Sequence, residues 1–332
     1  MSKMSTESEQ TVRQVLNGPT MGTRWQATFF TAPGFDPVPV EADLQRAVDE
    51  VDAQMSTWKP KSALMRLNAA PVGQWVDLPD RLATVLRKGL AIGKITGGAF
   101  DIAMGDAVTA WGFGPEEAAP ERIRSAMTAP RRPAHEVLEL ASAPATPARA
   151  RKHAPITLDL NGIAKGYGVD RLAEVLGGHG IASALVGIDG ELRAIGVRPD
   201  GTAWPIAVEA PDPERRAAHS VLVLEDAAVA TSGDYRHWVE IGGRRLSHTM
   251  DPRRGAPLLA APASVTVVAQ SCARADAWAT ALMVLGADAG GHVARANRLE
   301  SLFLLRREDG SITTRATGPL FGGDAAPPCR GA

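Results

Sequence analysis

The chain has 332 residues, and 36 basic against 37 acidic side chains leave a formal net charge of −1. Hydrophobic residues make up 45% and charged residues 22%, a globular composition long enough for about two domains or subdomains. A charge near zero without a basic stripe excludes a nucleic-acid binder and a polybasic membrane binder.

Met1 to Gln10 is polar and lacks the apolar core of a secretory signal, and no run approaches the ~18 apolar residues of a membrane span. As written, the chain is expected to be soluble and cytoplasmic, or periplasmic if an export leader has been removed. Gly22–Thr31 reads as an opening strand. From Glu41 to Met55, Leu44, Ala47, Val48, Val51 and Met55 fall three to four apart, which predicts a helix with Glu41 and Asp43 in its first turn. Asp80–Lys94 repeats the pattern through Leu82, Val85, Leu86 and Leu90, and Gly97-Gly98 ends it.

Ala118–Lys152 is rich in Ala, Pro and Arg and reads as a short helix at Arg122–Met127, a strand at Val137–Leu140 and a surface loop at Ser142–His153. A strand is then expected at Ile156–Leu160, a helix at Ile163–Leu176 and a buried strand at Ala182–Ile188. Ile206–Glu209 and Ser220–Leu224 read as strands. A hairpin, Trp238–Ile241 with Arg244–His248, turns at Gly242-Gly243. Ser264–Ala269 is a strand feeding a helix at Ala273–Leu285, and Ser301–Arg306 with Ile312–Ala316 forms a last hairpin around Asp309-Gly310. Without regular βαβ alternation, the pattern points to an α+β fold with antiparallel or mixed sheets. The GxGxxG fingerprint and the GxxxxGK[ST] loop are both absent.

Two cysteines, Cys272 and Cys329, make neither a disulfide framework nor a thiolate zinc site, and the seven histidines show no HxxxH spacing. Any metal is expected to be hard and oxygen-liganded. The densest polar segment is Leu158-Asp-Leu-Asn-Gly-Ile-Ala-Lys-Gly-Tyr-Gly168, at a predicted strand-to-helix turn. Backbone N–H groups there, with the helix dipole and Lys165, suit an anion; equally, Gly162 and Gly166 could only relieve crowding. Asp276 and Thr280, four apart on one helix face, could hold Mg²⁺ with phosphate oxygens, or could be an acid at a helix start and an innocuous Thr. Thr231, Ser232 and Asp234 are expected to cluster in a loop. His248 could be a general acid or base, but Ser232 with His248 lacks the Asp of a triad. Trp58 could stack on a planar ring or simply pack.

In this order, MGT, MSTWKPKSALMRLN, GGAFDIAMG, WGFG, LDLNGIAKGYGVDRLAEVL, AVATSGDYRHW, SHTMDPRRGAPL and SVTVV…ADAWATALMVLG resemble blocks of the ApbE family of FAD:protein FMN transferases, over Gly18 to Leu305. The resemblance implies a two-lobed α+β fold with mixed or antiparallel sheets and a flavin cleft between the lobes. Residues 18–316 would form the transferase domain, with flexible segments at 1–17 and 317–332. It implies Mg²⁺ held by the Asp276 and Thr280 side chains and the Ala164 carbonyl. Met21, Trp58, Ala99, Phe100, Asp101, Lys165, Asp234 and His248 would line the FAD site. Lys165 and His248 would act on the reacting phosphate. The implied reaction is Mg²⁺-dependent transfer of FMN from FAD to a Thr or Ser hydroxyl of an acceptor flavoprotein, releasing AMP. Alternatives are an FAD pyrophosphatase giving FMN and AMP, and a non-catalytic FAD-binding protein. The chain departs from the family where Trp58 replaces a common tyrosine, and in Val186-Gly-Ile-Asp-Gly-Glu191.

Overall fold

Two strands, Val12–Thr20 (β1) and Thr23–Thr31 (β2), pair antiparallel around Met21-Gly22, where both residues have positive φ (45° and 73°). That turn matches the twist of the flanking strands, and it costs Met21 the strain that glycine escapes. The computed structural model describes residues 11–141, 147–212, 215, 217–235, 238–241 and 244–322. Met1–Gln10, residues 142–146 of the expected loop, the Gly242-Gly243 turn and residues 323–332 of the expected tail lie outside the described residues.

The next elements are helices α1 (Val38–Met55) and α2 (Ala63–Ala69), strand β3 (Trp75–Asp77) and helix α3 (Asp80–Ile95). Short helices α4 (Gly105–Ala110), α5 (Pro120–Thr128) and α6 (Ala134–Val137) precede strands β4 (Leu138–Ala141) and β5 (Arg149–Lys152). Helix α7 (Ala164–Gly178) leads to β6 (Ala184–Ile188), β7 (Glu191–Ile195), β8 (Trp204–Glu209), β9 (Ala218–Leu224) and β10 (Ala228–Gly233). Then come β11 (Trp238–Ile241), β12 (Arg244–Ser247), β13 (Met250–Asp251), β14 (Ala256–Pro257) and β15 (Ser264–Ala269). Helix α8 (Cys272–Ala296) and the hairpin β16 (Glu300–Arg306) and β17 (Ile312–Thr317) close the fold.

Eight strands make one sheet in the order β1-β2-β6-β7-β10-β15-β16-β17, with every neighbouring pair antiparallel. Its strands show the expected two-faced burial. Phe303 of β16 joins a core with Leu86, Leu158, Trp278 and Leu282, while Leu302 and Leu304 join Trp204, Ile206, Leu222 and Leu224 of the β8–β9 hairpin on the other face. A further core unites Trp25 and Phe29 of β2, Leu44 and Val48 of α1, Val169, Leu172 and Leu176 of α7, and Val186 and Ile188 of β6. Helix α7 also feeds Ala164 and Tyr167 into the first core, so one helix braces two apolar interiors.

The apolar faces of α1 and α3 lie in the core: Leu44, Ala47, Val48, Val51, Met55, Leu82, Val85 and Leu86 are all buried. Three expectations need correction. The Ser142–His153 loop contains a strand, β5, whose Arg149 and Arg151 guanidinium groups lie 4.6 and 4.5 Å from the Trp75 ring centroid, so the arginines stack on an aromatic ring at the surface. Ile156–Leu160 is not a strand: the Asn68 side chain takes both backbone groups of Leu158, while Thr157 O and Asp159 N bond Gly105 N and Ile102 O. Thr231 and Ser232 lie in strand β10 rather than a loop. The helix expected at Ala273–Leu285 ends where expected, at Gly286, whose φ of 72° is not helical, and a second helical stretch carries α8 on to Ala296.

Candidate active site

The LDLNG segment is fixed before it reaches α7. Asn68 Nδ2 donates to the Leu158 carbonyl (2.9 Å), Leu158 N donates to Asn68 Oδ1 (2.8 Å), and the buried Lys152 ammonium donates to the Asn68 carbonyl (2.6 Å). Asp159 then accepts from Asn161 N (2.9 Å) and Asn161 Nδ2 (3.0 Å) in a local turn. Burial outweighs those donors and pushes the Asp159 carboxyl up to about 6. The raised value means the folded state holds this proton more tightly. Stability from it is complete below about pH 4 and lost as pH rises through about 6. Asp159→Asn is therefore expected to stabilise the protein at pH 8 by about 1–3 kcal/mol and to flatten that loss, which denaturation at pH 4, 6 and 8 would read. An unchanged pH profile would refute it.

Beyond the turn, α7 and α8 approach closely at their amino termini. A Cβ on Gly166 would lie 2.5 Å from the Cys272 carbonyl oxygen and 2.8 Å from Asp276 Cβ, so only glycine fits. This contact lets Gly166 N donate to Asp276 Oδ2 at 3.0 Å. A Cβ on Gly162 would meet Thr280 Oγ1 at 3.0 Å and the Phe100 ring at 3.2 Å. Ser232 Oγ of β10 lies 3.4 Å from Thr280 Oγ1. Met21 reaches α7 from the β1–β2 turn, its Cε 3.1 Å from where a Gly168 Cβ would stand.

Charge concentrates here. Lys165 Nζ lies 2.9 Å from Glu191 Oε1 and 3.2 Å from Asp189 Oδ2. Burial works against its charge, but Glu191, then Asp276 and Asp189, more than offset this and keep the ammonium fully charged. Asp276 is buried, and burial together with the Glu191 charge lifts its pKa well above the carboxylate range, Lys165 notwithstanding. Burial likewise raises Glu191, whose second oxygen, Oε2, is buried without a hydrogen-bond partner. Three carboxyl groups thus crowd one ammonium, with Glu191 and Asp276 buried and Asp189 exposed at the edge. Oxygen donors only, excess negative charge and an orphaned carboxylate oxygen fit a hard divalent cation.

The structure therefore brings together Met21, Phe100, Ala164, Lys165, Asp276 and Thr280. Ala99 precedes Phe100, and Asp101 Oδ1 accepts from Ala103 N (2.9 Å) and Ala134 N (3.0 Å). Burial raises its pKa against those donors. Asp234 leaves β10 two residues beyond Ser232 and accepts from Arg306 Nη1 (2.9 Å) and Nη2 (3.3 Å). Trp58, beyond the end of α1, is 61% exposed. His248 follows β12, with its ring edge-on to Phe113, centroids 6.4 Å apart. Trp111 Nε1 donates to the Gly255 carbonyl (2.9 Å) and braces the segment after His248. Sequence reasoning missed Asp159, Asp170 and Glu191, for only the fold shows that they are buried.

An ApbE family model matches residues 21–303. The chain belongs to the ApbE family. It is 37% identical over 305 residues to the FAD:protein FMN transferase of Vibrio cholerae serotype O1, covering 91% of this chain and 90% of that protein. To the Escherichia coli K12 protein of the same name it is 35% identical over 310 residues, covering 90% and 86%. Among solved structures, the flavin transferase ApbE from Vibrio cholerae superposes with a TM-score of 0.80 at 35% identity, over 92% of this chain and 97% of that one. The apo Pseudomonas stutzeri flavinyl transferase ApbE gives 0.82 at 34% identity, over 95% and 99%. This ApbE-family chain shares their helix-and-antiparallel-sheet fold. Among its described residues, no helix is long and apolar enough to cross a membrane.

Proposed function

We propose that this chain transfers FMN from FAD to a Thr or Ser hydroxyl of an acceptor flavoprotein and releases AMP, with Mg²⁺ as the required cation. The observation that carries the reading is the meeting of Asp276, Thr280 and the α7 amino terminus within an ApbE-family fold. Asp276, Thr280 and the Ala164 carbonyl would hold Mg²⁺. Bound there, it would neutralise the pyrophosphate and the charge developing on AMP. The α7 amino terminus and Lys165 would bind and orient the pyrophosphate. Met21, Trp58, Ala99, Phe100, Asp101 and Asp234 would shape the cleft around FAD.

The acceptor oxygen attacks the FMN phosphorus, and the phosphorus–oxygen bond to AMP breaks. A hydroxyl is a weak nucleophile, so its proton passes to a ring nitrogen of His248 in this reading. His248→Ala is expected to slow transfer roughly 10²- to 10⁴-fold, and full activity in that variant would remove His248 from the chemistry.

Incubation with FAD, Mg²⁺ and a threonine-containing acceptor tests the whole reading. The expected result is an acceptor mass increase of one FMN with AMP released, both lost with EDTA. AMP without acceptor labelling would replace transfer by hydrolysis, and neither product would leave a binding protein. In cells, the cytoplasm is the proposed site of action, or the periplasm if a leader is removed.

A further inference from the structure

We infer that Asp170 is a positioning residue that sets the geometry of the cation site from outside it, an inference resting on the cation reading above. Helix α8 begins at Ser271, a residue type that commonly caps helices, yet the Ser271 side chain makes no capping hydrogen bond. The cap comes from α7 instead. Asp170 Oδ1 accepts from Cys272 N at 2.8 Å, and Asp170 Oδ2 accepts from Ala273 N at 3.0 Å. A buried carboxylate thus holds the first two free N–H groups of the helix that carries Asp276 and Thr280. Arg193 of β7 donates to the same carboxylate at 2.6 Å.

The arrangement spans both halves of the cation site. Asp170 lies on the helix that starts with Ala164, and its partners lie on the helix that carries the other two proposed ligands. Two ion pairs tie α7 to β7, with opposite polarity. Lys165 of the helix meets Glu191 of the strand, and Asp170 of the helix meets Arg193. Sliding α7 along β7 in one sense would bring Lys165 towards Arg193, and in the other sense Asp170 towards Glu191, each time like charge against like. One register is therefore selected, and in it the α7 amino terminus meets α8 where Gly166 N donates to Asp276 Oδ2. Partners of this kind outside a metal's own ligands commonly govern affinity by about 10- to 100-fold.

The test is Mn²⁺ binding, read as loss of the free-ion EPR signal, on purified protein with excess FAD and no acceptor. Asp170→Asn keeps an acceptor oxygen but loses the charge that faces Arg193 and the α8 dipole. It is expected to bind Mn²⁺ at least tenfold more weakly than the parent. Leu222→Ala, which damages the core on the far face of the sheet, should keep parental affinity even where it lowers Tm as much. Asp170→Asn within twofold of the parent, or an equal loss in Leu222→Ala, would overturn the inference. If Asp170→Asn does not fold, Arg193→Met serves, with at least threefold weakening expected and parental affinity overturning. Asp276→Asn separates the two levels. If the parent binds no more Mn²⁺ than Asp276→Asn, the cation reading fails and this inference with it. If only Asp170→Asn and Arg193→Met match the parent, the positioning role alone falls.

Discussion

Asp276→Asn is expected to lower FMN transfer roughly a hundred- to thousandfold, the cost of losing about 3–4 kcal/mol of Lewis-acid stabilisation. Its effect on stability has the opposite sign. Asp276 is buried against Glu191, and both burial and that charge raise its pKa. A carboxyl raised in the folded state contributes stability below its unfolded value, near 4, and loses it as pH climbs through the folded one. Asn mimics the neutral form and can still accept from Gly166 N. The cation-free variant should therefore melt at or above the parental Tm at pH 8. Added Mg²⁺ should raise the Tm of the parent and leave the variant unchanged. Melting curves with and without Mg²⁺ check both statements, and a variant that Mg²⁺ still stabilises would contradict them.

Gly166→Ala is the second large effect. The added methyl would press on the Cys272 carbonyl, which is backbone and cannot rotate away, and on Asp276 Cβ. Separating α7 from α8 to make room costs about 1–3 kcal/mol of packing. It also breaks the Gly166 N to Asp276 hydrogen bond, so cation binding and transfer should fall together. By contrast, Gly178→Ala near the end of the same helix has open space at its Cβ and should leave both unchanged. Equal behaviour of the two variants in a melt and a Mn²⁺ titration would show that helix approach does not set the site.

Much of the architecture was legible in the sequence, and what was not has physical reasons. Helices α1, α3, α7 and α8 announce themselves through apolar residues three and four apart that end in two deep cores. Strand β1 escaped because it is an edge strand, largely exposed and carrying Pro19. β7 escaped because Glu191 and Arg193 look like surface charges until α7 is laid against them. Ile156–Leu160 shows that alternation does not disclose which partner takes the backbone hydrogen bonds: here a side chain and a neighbouring loop replace a second strand. Within the candidate site, Lys165 was visible beside Gly166, and Asp276 with Thr280 as a pair four apart on one helix face. Asp170 was not, because its partners Cys272 and Ala273 lie about a hundred residues away and only tertiary packing joins them.

Helix α7 is shared between two apolar interiors, and this bears on how the protein acquires competence. One interior needs β2, which pairs Trp25 with Ile188; the other needs α8 and Phe303, near the end of the chain. Ordering α7 thus waits on contacts that close long loops at both ends of the sequence, the slowest events in folding. The amides of α7 should exchange with solvent only through global opening, and a nascent chain released before β16 would carry every candidate ligand in its sequence and none of them in place.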